Sequence, residues 1–396
     1  MMLARLVAFS LAQRLLVLVV TLVMIAAGIQ AFRDLPIDAF PDVSSTQVKL
    51  ILKAPGMTPE EVEMRIVAPI EQELLGINKQ VMLRSQSKYA IADITLDFQD
   101  GTDVYWARQQ VSERLANVMK DMPASVSGGL APITTPLGEI FMFTIEGPLS
   151  LMEKRSLLEW TIRPQLRNIP GVADVNSLGG MVRSYEVVPN IEALAARKLS
   201  LTQLQMALDA NNRNDGAGRL GAGEESLLVR SDGSIRSLDD VRAIAITSRD
   251  GFAVRVGDVA TVRIGEMTRY GTVTKDGKGE AVEGLVLAMR GANAQQVLGK
   301  LRERLAELQK ALPAGTTIKP FYDRGNLVER AVSTVTRALG EATILVVILL
   351  YLFLGNVRSA LVVASILPLA ALGTFLLMQA FGLSANLMSL GGLAIA

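Results

Sequence analysis

Ala92–Leu115 reads ADITLDFQDGTDVYWARQQVSERL, and its apolar rhythm changes partway from that of a strand to that of a helix. Ala92, Ile94, Leu96 and Phe98 alternate with Asp93, Thr95 and Asp97, the period of a strand with one buried face. After Gly101 the apolar positions become Val104, Ala107, Val111, Leu115 and Val118. Steps of three and four make one face of a helix, with Thr102 expected as its N-cap. Upstream, Gln47–Leu52 has strand character. Thr58-Pro59-Glu60-Glu61 then starts a helix, with proline in the first turn and acids beside the positive end of the dipole. Ile140–Ile145 is expected to close the set, giving the β-α-β-β-α-β order of a ferredoxin-like unit.

A second unit of the same kind begins there. A helix over Lys154–Arg167 leads to strands at Val172–Leu178 and Tyr185–Val188. The other half returns about a hundred residues later, as strand Gly284–Met289, helix Ala294–Leu312 and strand Thr317–Tyr322. In that helix Val297, Leu301, Leu305, Leu308 and Leu312 form one apolar stripe, which is a core face. The intervening Asn190–Thr274 is rich in Gly, Asp and Arg and reads as an inserted subdomain.

Charge and hydropathy add a membrane. The chain has 396 residues, 40 Lys+Arg against 39 Asp+Glu, a net charge of +1. That balance argues against nucleic acid as a partner bound through bulk positive charge. Half the residues are hydrophobic, and from Gly340 to Ala396 only Glu341 and Arg358 carry charge. Leu15–Phe32 is an apolar run between Arg14 and Arg33, about 27 Å long as a helix and enough to span a bilayer core. It exceeds the usual apolar core of a signal peptide, and Leu35–Asp42 offers no small-x-small cleavage site. Thr343–Leu354, extending a helix from near Val335, and Ala360–Phe381, interrupted by Pro368, are expected as second and third spans. Arg5, Arg14 and Arg358 then lie on the cytoplasmic side and residues 34–332 outside. A fourth apolar stretch starts at Ser384, and the chain is read as a fragment of a longer protein. Cysteine and histidine are both absent. Thiolate chemistry, Cys/His zinc sites and a Ser-His-Asp triad are therefore excluded within this chain, and no enzyme reading finds a foothold.

The segments LPIDAFPDVSSTQV (35–48), GMTPEEVEMRIVAPIEQEL (56–74), FQDGTDVYWARQQVSERL (98–115), PLGEI (136–140) and IPGVADVNSLGG (169–180) resemble the resistance-nodulation-division superfamily, in its heavy-metal efflux branch. The resemblance covers essentially the whole chain. It implies an α/β membrane protein with two periplasmic ferredoxin-like porter repeats. Residues 1–33 would be the cytoplasmic N-terminus and first membrane helix, 34–137 the first porter subdomain, and 138–180 the first half of the second. Residues 181–274 would be an inserted docking subdomain, 275–332 the second half, and 333–396 the further membrane helices. It also implies a proton-driven pump in the bacterial inner membrane. The pump would be a homotrimer joined by a periplasmic adaptor protein and an outer-membrane channel, with a transported metal cation and no bound cofactor. The family's proton-relay carboxylates are expected beyond Ala396. Glu341, the one carboxylate near a membrane helix, is read as interfacial.

Without His or Cys, metal ligands must be carboxylates, carbonyls or thioethers, the first suiting harder divalent ions and the last Cu(I) or Ag(I). Glu139 interrupts an otherwise apolar strand in PLGEI, and Asp174 stands among apolar neighbours in GVADVNS. The resemblance implies that carboxylates at such motif positions line a periplasmic access site for metal, while the plainer alternative is a solvated or hydrogen-bonded strand residue. The 16 methionines include no Met-x-Met cluster and are read as core fillers. Asp103 is expected as a helix-start charge, and Asp38 and Asp42 as turn residues. The expected cargo is Zn(II), Co(II), Cd(II) or Ni(II). Monovalent Cu/Ag efflux, drug efflux and a non-transporting assembly subunit are the alternatives. The drug branch fits poorly with only nineteen aromatic residues.

Overall fold

The computed structural model describes residues 9–35, 37–38, 44–222, 225–249, 252–386, 388–389 and 391–392. Asp42 lies outside the described residues. The chain forms two compact units: 1–148 with 160–177 and 283–396, and 149–159 with 178–282.

After the apolar helix α1 (Arg14–Asp34) the first unit builds a sheet from β1 (Thr46–Lys53), β2 (Gln80–Lys88), β3 (Ile91–Phe98) and β4 (Ser127–Leu130). Its order is β2-β3-β1-β4, with antiparallel pairing throughout. Between β1 and β2 runs a helix in three parts: α2 (Pro59–Val62), a π-helical turn Glu63–Val67, and α3 (Ala68–Leu74). Thr58 and Glu61 close a reciprocal capping box at its start. Pro69, in the first turn of α3, has no N–H to give the preceding turn, and the wide π turn lies where that bond is missing. The helix α4 (Val104–Val118) follows β3. Its cap is Asp103, whose carboxylate accepts the Trp106 N–H at 2.7 Å. Thr102, the expected cap, is instead buried, with its carbonyl accepting the Thr46 hydroxyl at 2.8 Å. The core collects Val48, Leu50 and Leu52, the alternating Ala92–Phe98 set, Ile66, Ile70 and Leu74, and Ala107, Val111 and Leu115.

Ile140–Ile145 does not close this sheet; Ser127–Leu130 does. Instead β5 (Glu139–Glu146) opens a second sheet. It continues with α5 (Leu151–Leu157), a second π turn Leu158–Ile162, α6 (Arg163–Arg167) carrying Pro164 in its first turn, and β6 (Val172–Gly179). Then come β7 (Val282–Ala288), α7 (Ala294–Ala311) and β8 (Thr317–Asp323). The order β8-β5-β7-β6 repeats that of the first sheet, so the chain holds one β-α-β-β-α-β design twice. The α7 stripe is buried through Val297, Leu298, Leu301, Leu305 and Leu308.

Tyr185–Val188 belongs to neither sheet. It lies in the strand Arg183–Pro189, which pairs with Ala260–Glu266 in the second unit. That unit has its own core of Leu194, Leu204, Val241, Val256, Val259 and Val262, and an antiparallel hairpin of Asn214–Ala222 with Glu225–Asp232.

Helix α8 (Arg324–Leu354) starts directly after β8, eleven residues before the expected Val335, and runs unbroken for 31 residues. Only Gly340–Phe353 of it is strongly apolar. Then come α9 (Val357–Ala364) and α10 (Ile366–Ala380). Their break at Ser365 falls where the Pro368 ring would clash with the Ala364 carbonyl. Arg14–Asp34 and Val357–Ala380 are long and apolar enough to cross a membrane. Gly28 lets α1 approach α10 closely, since a Cβ there would meet Leu372 Cβ at 2.7 Å, and the Phe32 and Phe375 rings meet at a 45° tilt with centroids 4.8 Å apart. Glu341 pairs with Arg337 at 2.8 Å, both side chains exposed.

Candidate functional site

A short 3-10 turn, Pro136–Gly138, delivers Glu139 to the start of β5. The turn is tight: the Gly138 N–H donates to the Thr135 carbonyl at 2.8 Å. A Cβ on Gly138 would overlap Thr134 Oγ1 and come within 3.2 Å of the Ala288 carbonyl oxygen. The pairing of β5 with β7 then slips by one residue, Val286 opposing Phe141 but Leu287 opposing Glu139. Ile140 is the extra residue of this bulge. Strict alternation would place Glu139 on the face of buried Phe141. The bulge moves it to the face of Leu287 instead, and Glu139 is exposed while Ile140 and Phe141 are buried.

That same face carries Glu283, two strand alternations from Leu287 on β7. Burial pushes the Glu283 carboxyl above its ordinary range, and the Glu139 charge adds to the shift. Sequence reasoning passed over Glu283, although it interrupts an apolar strand, VEGLVLA, just as Glu139 does. Because its pKa is raised in the fold, the contribution to stability is fully present below the unfolded carboxylate pKa and is lost as pH rises through the folded one. Glu283→Gln should therefore raise the unfolding midpoint at pH 7 and leave it unchanged near pH 4. Thermal melts at the two pH values check this, and equal effects at both would contradict it.

Asp174 is placed differently. Its carboxylate accepts from Arg163 Nη2 at 3.3 Å and from its neighbour Val175 N–H at 2.8 Å. It also pairs with Arg167 Nε at 3.2 Å. The two arginines come from successive turns of α6, so Asp174 ties β6 to that helix. Glu139 on β5 and Asp174 on β6 are separated by β7, about 10 Å at ordinary strand spacing. Among the described residues no three acidic, His or Cys side chains gather to hold a metal. The methionines fill the core only in part: Met119 and Met122 pack against the core of the first sheet, and Met378 against the cluster of α1 and α10. Met57 is the buried one among the described residues, whereas Met64, Met82, Met206, Met267 and Met388 are exposed.

A cavity of about 630 Å³ lies along the polar face of the first sheet, lined by Lys49, Arg84, Asp93, Thr95, Arg108 and the Ala131–Pro136 segment. Lys49 pairs with Asp93 at 2.8 Å and Arg84 with Asp97 at 3.3 Å. Arg108 donates to the carbonyls of Ala131 (2.5 Å) and Leu130 (3.4 Å), and burial lowers its pKa. Three cationic side chains make this cavity a poor host for a bare metal cation. The carboxylates on β5 and β7 have the better sign and chemistry for one.

Two helices long and apolar enough to cross a membrane accompany a duplicated α/β design, with Glu139 exposed at a bulge of its second sheet. Residues 6–396 match the AcrB/AcrD/AcrF family, and the chain belongs to that family, the resistance-nodulation-division efflux transporters. It is 40% identical over 402 residues to the cobalt-zinc-cadmium resistance protein CzcA of Cupriavidus metallidurans (strain ATCC 43123 / DSM 2839 / NBRC 102507 / CH34), covering 99% of this chain and 38% of that one. It is 37% identical over 391 residues to the cation efflux system protein CusA of Escherichia coli (strain K12), covering 98% and 37%. A solved crystal structure of a heavy metal efflux pump superposes with a TM-score of 0.89 at 33% identity, over 98% of this chain and 39% of that chain. The chain thus spans about 38% of the length of the curated relatives it matches.

Proposed function

We propose that this chain is part of an inner-membrane pump that exports divalent metal cations, with Glu139 as a metal contact. The observation that carries the reading is the bulge that turns Glu139 out of the core onto the face it shares with Glu283. Burial holds the Glu283 carboxyl above its ordinary range, and repulsion from the Glu139 charge on the same face adds a smaller part. Cation binding relieves that repulsion, and protonation competes for the same oxygens. A metal picked up at neutral pH is therefore released when a proton takes its place. Asp174 meets metal only where the ion displaces Arg163 and Arg167.

In this reading the two β-α-β-β-α-β repeats are periplasmic porter subdomains and the second unit is the docking subdomain. The pump works as a trimer with a periplasmic adaptor and an outer-membrane channel, driven by the proton-motive force. Support comes from the family membership, from the similarity to CzcA, and from a donor set without histidine or cysteine, which leaves carboxylates to favour the harder ions. The test is metal accumulation by everted membrane vesicles carrying the protein expressed from its own gene. The panel is Zn(II), Co(II), Cd(II), Ni(II) and Cu(I). Uptake of the divalent ions above Cu(I) is expected. Uptake of Cu(I) alone would move the cargo to the monovalent class, and uptake of none would overturn the pump reading.

A further inference from the structure

We propose that Arg324 is the positioning residue for Glu139. Its guanidinium binds the turn that carries the carboxylate to the first residue of α8, so that displacement of that helix reaches the metal contact. The inference rests on the reading of Glu139 as a metal contact.

Arg324 is only 3% exposed, unusual for a side chain that is always charged and costly to bury unless its donors are used. Its Nη1 donates to the carbonyl of Leu137, two residues before Glu139. The backbone supports the same join, because β8 pairs with β5 up to the helix, Tyr322 opposing Met142 and Asp323 opposing Phe141. The turn between these two attachments cannot easily absorb a shift. Gly138 is closed in by Thr134 and the Ala288 carbonyl, and the next residue is Glu139.

The other end of the join is equally stiff. Asp323 caps α8, accepting the Gly325 N–H at 2.9 Å. Arg302, from α7, donates to Asp323 at 2.8 Å, to Glu329 at 2.8 Å and to Asn326 at 3.3 Å. The first two turns of α8 are thereby held to α7. Beyond them the helix runs unbroken to its apolar half at Gly340–Phe353. At 1.5 Å per residue the whole element is a rod of about 46 Å. A movement imposed on the apolar half arrives at Arg324 with little taken up on the way. Lysine is a poor substitute because a single ammonium lacks the planar fork that reaches a buried carbonyl in fixed geometry.

The experiment uses the protein expressed from its own gene. Arg324→Gln, Arg324→Lys, Glu139→Gln and the Arg324→Gln/Glu139→Gln double variant are compared in the vesicle zinc assay. Arg324→Gln is expected to raise the zinc concentration for half-maximal uptake about tenfold at unchanged membrane abundance, with Arg324→Lys in between. The double variant should be little worse than Glu139→Gln alone, because Arg324 acts through Glu139. Additive losses, or wild-type half-saturation in Arg324→Gln, would overturn the proposal. If Arg324→Gln fails to accumulate, Arg324→Lys decides alone: intermediate half-saturation supports the proposal and wild-type half-saturation overturns it. Hydrogen exchange separates this idea from the one beneath it. If Glu139→Gln transports normally, the metal-contact reading fails. Faster exchange of the Gly138 and Glu139 amides in Arg324→Gln would still establish that Arg324 holds the turn, and unchanged exchange would remove that as well.

Discussion

Glu139→Gln is expected to cut zinc transport at low zinc at least tenfold while the protein still folds and reaches the membrane. The amide keeps the shape of the carboxyl but removes the charge a divalent ion would bind. A tenfold loss corresponds to about 1.4 kcal/mol of interaction, a modest demand on one carboxylate–metal contact. Folding should be unharmed because Glu139 is exposed at the bulge. The change also withdraws the negative charge that helps raise the Glu283 carboxyl, so stability at neutral pH should not fall. Zinc uptake at several concentrations, with membrane abundance measured alongside, checks the expectation. Unchanged uptake at every concentration would remove Glu139 from the metal path.

Gly284→Ala should be a strongly damaging single-methyl change in the second sheet. Gly284 on β7 pairs with Phe143 on β5, and Phe143 is completely buried. A Cβ at position 284 would stand 2.6 Å from Phe143 Cε1 and 2.8 Å from Cε2. Forcing atoms into a filled core costs about 1–3 kcal/mol. The effect is steric, so it should be partly reversible: Gly284→Ala with Phe143→Leu should be more stable than Gly284→Ala alone. Thermal melts of the solubilised variants decide it. A Gly284→Ala protein as stable as the wild type would mean the ring does not lie over the glycine.

These effects arise in the part of the fold that one-dimensional patterns describe least well. The alternation of Ala92–Phe98 and the stripe of α7 were legible because one face of each element is buried and the other is wet. The strand Ser127–Leu130, SGGL, has no such contrast, and so the apolar pattern points to Ile140–Ile145 for the closing position. Gln80–Lys88 carries no strand signal for a related reason: it is an edge strand, exposed along most of its length, and neither face imposes a period. The cap of α4 lay between two adjacent cap-forming residues. Only the extended backbone of Asp103 settles which one turns its oxygen toward the helix.

The candidate site shows the same boundary. An acid inside an apolar run marked both Glu139 and Asp174, yet sequence cannot show that Arg163 and Arg167 fold back onto the second. It cannot show the bulge that frees the first, because a bulge is a property of two paired strands. Glu283 carried the same local signal and became significant only when pairing put it on the face of Glu139. The start of α8 was placed late because its first turns are charged. Arg324, Glu329 and Arg330 look like a polar segment until Arg302 is seen gathering Asp323, Asn326 and Glu329 into one network.

The central claim is that a divalent cation is the cargo of the protein to which this chain belongs. Its most direct test is zinc accumulation by everted vesicles carrying that protein, with an acid-inside pH gradient imposed and then collapsed by a protonophore. The account predicts zinc uptake that depends on the gradient and falls at least tenfold at low zinc in Glu139→Gln. Zinc levels inside the vesicles that match those of vesicles lacking the protein, with the gradient shown to be intact, would contradict it.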